Sequence, residues 1–275
     1  MDSFHLALFG NPVSKSPSPA VHGAFGAQFG LKVEYQLIEA SHEAFPERLK
    51  AFRKAGGTGC NITLPLKHLA FDLADERTGR ADRAAAANTL WWTADNHCHA
   101  DNTDGAGLVR DLETNLRIDI EGEKILLLGA GGAASGVLGA LLSRKPAQLT
   151  IANRTIANAR SLAEKHGSLG EVACVGFEEL DRCPTMKLVI DATSLGHSGR
   201  CPAIPGSITA DKTVLYSLNY GPAAQPLRDW SRQAGISFHD GLGMLVEQAA
   251  LSFEIWTGRK PETPSVLEMV RSAMA

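Results

Sequence analysis

Four consecutive apolar residues, Ile125-Leu126-Leu127-Leu128, run directly into Gly129-Ala130-Gly131-Gly132-Ala133-Ala134. An apolar strand, a Gly-x-Gly-x-x-Ala turn and a helix start follow one another without a gap. Glycine allows the tight turn and lets the backbone approach a pyrophosphate closely. The helix that follows offers unpaired N–H groups and the positive end of its dipole to that anion. A glycine triplet alone carries little weight, but the strand-turn-helix context is the one dinucleotide binding requires. Gly129, Ala130, Gly131, Gly132 and Ala133 are therefore the expected cradle for a dinucleotide pyrophosphate.

The type of dinucleotide is read at the end of the next strand, about 20 residues on, where an Asp or Glu binds the ribose 2′-hydroxyl of NAD. This chain has Asn153-Arg154-Thr155 there. No carboxylate repels a 2′-phosphate, and Arg154 can pair with one through charge-assisted hydrogen bonds. NADP(H) is the expected cofactor. The competing use of Arg154 is a solvated surface charge.

At 275 residues the chain has room for one large domain or two smaller ones. Its net charge of −3 and scattered basic residues point away from nucleic acid. No apolar run is long enough to span a bilayer, and the N-terminus does not resemble a signal peptide. Cys60, Cys98, Cys174, Cys183 and Cys201 are odd in number and form no Cys-x-x-Cys. A reducing cytoplasm is the expected location.

Strand-like and helix-like segments alternate throughout, which implies a mainly parallel α/β architecture. Strands are expected at residues 4–9, 32–38, 59–63, 124–128, 148–152, 172–175, 188–191, 214–216 and 236–239. A hairpin is expected at 89–93 and 97–100, turning at Asp95-Asn96. Helices are expected at residues 19–29, 43–54, 105–116, 133–143, 156–166 and 222–234. A further helix follows from Leu242, Leu245, Val246, Ala249, Phe253 and Trp256, which fall on one face. A final helix is expected at 266–274. The fold class is thus α/β with two domains. The expected division is residues 1–105, on which 242–275 pack back, and residues 106–241 as a Rossmann-type NADP-binding domain.

The first half carries polar residues at strand ends and loops: Ser14-Lys15-Ser16-Pro17-Ser18-Pro19, residues 61–67, Asn88-Thr89, and Asp101-Asn102-Thr103-Asp104-Gly105. Ligands in open α/β sheets sit outside the C-terminal ends of the strands. Hydroxyls, amides, one lysine and one carboxylate converging there suit a small polyhydroxylated substrate. Each residue also has an ordinary structural use: Ser18 or Thr103 as a helix cap, Asn88 in a turn, Lys67 as a solvated lysine.

Together these segments resemble the shikimate dehydrogenase family along nearly the whole chain. Gly10-Asn11-Pro12 with Ser16-Pro17-Ser18-Pro19 resembles the family's opening substrate loop. Residues 61–67 resemble its Asn-[Val/Ile]-Thr-x-Pro-x-Lys segment, and Asn88-Thr89-Leu90 and residues 101–105 its Asn-Thr-Leu and Asp-Asn-Thr-Asp-Gly motifs. Residues 129–133 and 153–155 resemble its cofactor motifs, and residues 241–249 its Gly-Leu-Gly-Met-Leu-x-x-Gln-Ala helix. The resemblance implies reversible NADPH-dependent reduction of 3-dehydroshikimate to shikimate, in two domains with a cleft between them. It implies that Ser16 and Ser18, helped by Tyr220, bind the substrate carboxylate. Thr63, Lys67, Asn88, Asp104 and Gln248 would contact the ring hydroxyls. Asn153, Arg154 and Thr155 would hold the 2′-phosphate, and Leu218 and Gly241 would lie near the nicotinamide. Ketone reduction needs a proton for the new alkoxide; Lys67 is the expected carrier and Asp104 its partner.

Several positions depart from the family pattern. Lys15 replaces a His, Gly79 an acidic residue, Asn158 an Arg, Asp191 an Asn, Ser217 an Asp and Gln225 a Thr. Arg160 is near enough in sequence to compensate for Asn158. These changes leave room for two other readings: a paralogue acting on quinate or using NAD, and a non-catalytic NADP(H)-binding regulator. The intact Lys67 and Asp104 count against the second. Asp95, His97, Cys98, His99 and Asp101 are dense, yet no distant ligand set accompanies them, so no metal is expected. Trp91-Trp92 is read as a strand that buries one indole. The expected partner is a small-molecule substrate, without nucleic acid or membrane, for a monomer or homodimer.

Overall fold

The computed structural model describes residues 2–274. By internal contact the chain forms two compact units. One runs to Gly107 and resumes at Leu245; the other is Leu108–Met244.

The first unit contains β1 (Ser3–Gly10), α1 (Ser18–Gln28), β2 (Lys32–Glu39), α2 (Phe45–Lys54), β3 (Gly59–Ile62), α3 (Lys67–Leu73), β4 (Glu76–Arg77), α4 (Gly79–Ala84), β5 (Thr89–Trp92) and β6 (Cys98–Asp101). α5 (Asp104–Arg110) begins there. The sheet order is β2-β1-β3-β5-β6-β4. β1 pairs in parallel with both β2 and β3, while β5 runs antiparallel to β3 and β6. The ends of β1, β3 and β6 and the start of β5 therefore share one edge, which is where the polar clusters lie.

Local reasons for these elements are visible in the side chains. Phe45, Leu49 and Phe52 recur at helical spacing on α2 and are its buried residues. Phe9 on β1 meets the Phe45 and Phe52 rings edge-on, with centroids 5.5 and 5.6 Å apart. The β5–β6 hairpin turns through Asn96, whose φ of 67° is in the left-handed region that Asn tolerates. α3, α4 and the two-residue β4 were not read from the sequence, because none is long enough to show a period. Both Trp91 and Trp92 are half-buried, rather than one buried and one free. Trp91 stacks on His99, and Trp92 packs beside Phe52 and under Arg53.

The second unit contains β7 (Lys124–Leu128), α6 (Gly132–Leu142), β8 (Gln148–Ala152), α7 (Ile156–Lys165), β9 (Ala173–Val175), β10 (Leu188–Asp191), β11 (Val214–Ser217), α8 (Gln225–Ala234) and β12 (Ser237–His239). Every strand pair is parallel, in the order β12-β11-β10-β7-β8-β9. Numbered within the unit this is the 3-2-1-4-5-6 order of a dinucleotide-binding sheet. β7 is central, and its apolar residues serve two cores. Ile125 and Leu127 join Leu138 and Leu141 of α6, while Leu126 and Leu128 join Leu227 of α8. α9 (Leu242–Thr257) and α10 (Pro264–Met274) complete the chain.

The expected helix at 105–116 is interrupted. α5 stops at Arg110, and residues Asp111–Asn115 form a single π-helical turn. Asp111 there accepts a 2.7 Å hydrogen bond from the buried Tyr216 hydroxyl. A widened turn carrying a buried polar contact is a common interruption of an α-helix.

Candidate active site

Lys67 opens α3 directly after β3, and Asp104 opens α5 directly after β6. Their side chains meet, with Nζ 2.6 Å from Oδ2, and both are largely buried, at 18% and 10% exposure. The other Asp104 oxygen accepts from Asn88 Nδ2 at 2.8 Å. Asn88 Nδ2 also lies within hydrogen-bonding distance of Thr103 Oγ1 (2.9 Å) and Gln248 Oε1 (3.0 Å), so its two protons are shared among three acceptors. Its own carbonyl oxygen accepts from the Thr103 N–H (2.9 Å) and the Thr89 hydroxyl (2.8 Å). Asn88 is thus no turn residue: it is buried, with both ends of its amide engaged. Gln248 reaches it from α9. Thr63 lies at the end of β3, half-buried, and its hydroxyl has no protein partner among the described residues.

Ser16 and Ser18 sit at the start of α1. Neither serves as its side-chain N-cap, a position held by Pro17. Ser16 Oγ donates to Ser18 Oγ at 3.0 Å and accepts from the Ser18 N–H at 3.3 Å. Paired hydroxyls at a helix start are suited to a carboxylate. Tyr220, half-buried in the second unit, has its phenol pushed up by burial and so stays neutral.

The glycine turn fits a dinucleotide. Gly129 has φ +101°, and a Cβ there would stand 3.1 Å from the Ala192 carbonyl oxygen. A Cβ at the exposed Gly131 would meet nothing within 4 Å. Ala130, Gly132 and Ala133 are half-buried. α6 starts with no side-chain cap and no acidic residue in its first turn, so its N–H groups remain available to an anion. Asn153 is fixed by a 2.9 Å bond from its amide to the Thr155 carbonyl. Arg154 and Thr155 are exposed just beyond β8, and α7 also begins without an acidic residue. Leu218 and Gly241 lie against each other, since a Cβ on Gly241 would come 2.5 Å from the Leu218 carbonyl oxygen.

Family models match three stretches of the chain: a shikimate dehydrogenase substrate binding domain at residues 8–90, a shikimate/quinate 5-dehydrogenase model at 111–198, and a shikimate 5′-dehydrogenase C-terminal domain at 241–271. A shikimate dehydrogenase (NADP(+)) of Alcanivorax borkumensis is 46% identical over 98% of this chain and 97% of its own length. The chain belongs to the shikimate dehydrogenase family. The solved shikimate 5-dehydrogenase of Thermus thermophilus, in complex with shikimate, superposes with a TM-score of 0.85 at 32% identity, covering 98% of this chain and 99% of that one. An Ael1 enzyme from Pseudomonas putida superposes at 0.89, with 37% identity and 97% of both chains covered.

Two of this shikimate dehydrogenase family member's departures turn out to be neighbours. Asp191 and Ser217 are directly paired across β10 and β11. The pair carries its one carboxylate on β10, at Asp191, with the Ser217 hydroxyl facing it on β11. Burial pushes the Asp191 carboxyl up, opposed by hydrogen bonds from Thr193 and Ser217. The dense side chains around the hairpin have partners other than a metal. Asp101 binds Arg80 and Thr78, His99 stacks on Trp91, and His97 is exposed. No group of three metal-ligating side chains converges among the described residues. Thr103, a candidate helix cap in the sequence, instead binds Asn88 and the Gln248 carbonyl, and Asn61 and Ser252, which the sequence did not single out, bind the site residues from behind. Ser252 lies four residues after Gln248 on α9, so its place on the same helix face was legible.

Proposed function

We propose that this chain catalyses the reversible NADPH-dependent reduction of 3-dehydroshikimate to shikimate. The observation that carries the reading is the largely buried Lys67–Asp104 pair within a ring of amides and hydroxyls from Asn88, Thr103 and Gln248. A polyhydroxylated ring needs such a set of donors and acceptors, and a ketone needs a positioned proton donor. The family membership and the relatives' NADP(+) designation support the same reading. NADPH supplies the hydride. Gly129, Ala130, Gly131, Gly132 and Ala133 would hold its pyrophosphate, Asn153, Arg154 and Thr155 its 2′-phosphate, and Leu218 and Gly241 would help to hold the nicotinamide.

Lys67 gives its ammonium proton to the developing alkoxide and takes a proton back in the oxidative direction. Asp104 holds Nζ in place, and Asn88 holds Asp104. Ser16 and Ser18 hold the carboxylate; Thr63 and Gln248 hold ring hydroxyls. The protein works in the cytoplasm as a monomer or homodimer. The test is steady-state oxidation of shikimate with NADP+ by the protein and by Lys67→Ala. The variant should lose roughly 10²–10⁴-fold in turnover while keeping its circular-dichroism spectrum. Near-unchanged turnover would sink the assignment of Lys67. Cofactor binding without any turnover in the unaltered protein would favour the non-catalytic regulator instead. Asn158, where an arginine is usual, favours one second reading, use of NAD alongside NADP.

A further inference from the structure

Asp101, the last residue of β6, is buried, and four donor atoms surround its carboxylate. Arg80, on α4, reaches it at two points, Nε to Oδ1 at 3.0 Å and Nη2 to Oδ2. The Thr78 hydroxyl donates to Oδ1 at 2.6 Å, and the Asn102 N–H donates to the same oxygen at 2.7 Å. Four donors are about as many as one carboxylate accepts. The two-point contact fixes the plane of the guanidinium against that of the carboxylate, which the point charge of a lysine does not do. Thr78 also caps α4, accepting from the Ala81 N–H at 3.3 Å. The start of α4 is thus fastened to the end of β6.

What Asp101 holds leads directly to the Lys67–Asp104 pair. The backbone N–H of Asn102 is pinned on the Asp101 carboxylate, and its buried side chain then works in two directions. Asn102 Oδ1 accepts from the Asp104 N–H at 3.1 Å, and Asn102 Nδ2 donates to the Ala86 carbonyl at 3.0 Å. An N–H can only donate and a carbonyl can only accept, so both partners fix the same orientation of this amide. The Asn88 N–H donates to the Asp101 backbone carbonyl at 3.0 Å, and the Ala87 N–H donates to the Lys67 backbone carbonyl at 2.9 Å. The short segment between α4 and β5 is therefore tied on one side to the start of α5, which carries Asp104. On the other side it is tied to the start of α3, which carries Lys67. Among the described residues, no hydrogen bond joins Arg80, Asp101 or Asn102 to the Lys67 ammonium or to the Asp104 carboxylate.

We propose that Arg80, Asp101 and Asn102 are positioning residues for the Lys67–Asp104 pair. The two-point contact of Arg80 sets Asp101, Asp101 sets Asn102, and Asn102 sets the backbone of Asp104, which aims its carboxylate at Lys67. The proposal rests on the functional reading above for what that pair does. A frame that aims the proton carrier without touching substrate reads out in kcat and leaves KM nearly unchanged. Because the frame acts through Asp104, its effect on rate is lost once the Asp104 carboxylate is removed. A residue that only keeps the fold intact would lower the rate by the same factor with or without that carboxylate.

The experiment measures shikimate oxidation by the unaltered protein, Arg80→Lys, Asn102→Ala, Asp104→Asn and the double variant Arg80→Lys with Asp104→Asn. Arg80→Lys keeps the charge and loses the fork. It should lower kcat by roughly 3–30-fold with KM for shikimate within about twofold, and Asn102→Ala should do the same. In the Asp104→Asn background, Arg80→Lys should change the residual kcat by less than about twofold. An equal fall in both backgrounds, a change confined to KM, or no change would overturn the proposal. Amide hydrogen exchange gives a readout apart from activity. Arg80→Lys should speed exchange over residues 101–105 and leave β1 as it was. Unchanged exchange over 101–105, or faster exchange throughout, would also overturn the proposal. If Asn102→Ala does not fold, Arg80→Lys decides alone. If the unaltered protein does not oxidise shikimate, the functional reading fails, and the exchange pattern decides the frame by the same two outcomes.

Discussion

His22 is a histidine the protein keeps neutral. It is fully buried between Tyr35, Phe25, Phe253 and Trp256, and its Nδ1 has no partner among the described residues. Burial lowers its pKa from 6.5 to about 3, against a smaller opposing contribution from Asn61. The unfolded chain binds this proton below pH 6.5, and the folded chain does so only near 3. The stability His22 confers is therefore complete above pH 6.5 and is lost as pH falls towards 3. Urea unfolding between pH 6 and 4 should show stability falling by about 1.4 kcal/mol per pH unit more steeply than in His22→Gln. Parallel slopes in the two proteins would contradict the assignment. Individual residues were unevenly legible at this scale. Lys67, Asp104 and Asn88 stood out because their types and places at strand ends suit the chemistry. Asn61 and Ser252 did not, because a buried hydroxyl or amide in sequence is indistinguishable from a cap or a turn residue until its partners are known.

Among the elements, the contact of α5 with α9 governs the geometry of the cluster. A Cβ on Gly107 would stand 2.6 Å from the backbone nitrogen of Gln248, so the two helices touch where Gln248 must reach Asn88. Backbone cannot yield as a flexible side chain can. Gly107→Ala should cost about 1–3 kcal/mol of stability. It should also lower kcat/KM for shikimate, as urea unfolding and steady-state rates would show; unchanged values would mean the helices can part freely. Long elements were legible where their period was strong: α2, with Phe45, Leu49 and Phe52, and β7, with its unbroken apolar run. α3 and α4 escaped because six or seven residues show no clear period. The π-helical turn at Asp111 escaped because nothing in the local sequence marks it, and the contact that Asp111 makes is with Tyr216, 105 residues away.

At the scale of the whole molecule, the chain is assembled from two α/β units of different kinds. The all-parallel sheet carries the glycine turn on its central strand, beside the point where the strand order reverses. The mixed sheet gathers its polar groups at one edge, because the antiparallel β5–β6 hairpin brings Asn88 and Asp104 to the same end as Lys67. Strand-helix alternation made the α/β class readable in advance; the antiparallel order within the first sheet depends on pairings that alternation alone does not determine. On the function proposed above, these units serve NADP-linked chemistry on shikimate. Its most direct test is the rate of nicotinamide reduction, followed by absorbance, with shikimate or quinate and with NADP+ or NAD+. The highest kcat/KM is expected for shikimate with NADP+. A higher value for quinate, or for NAD+, or no reduction with any pair, would contradict it.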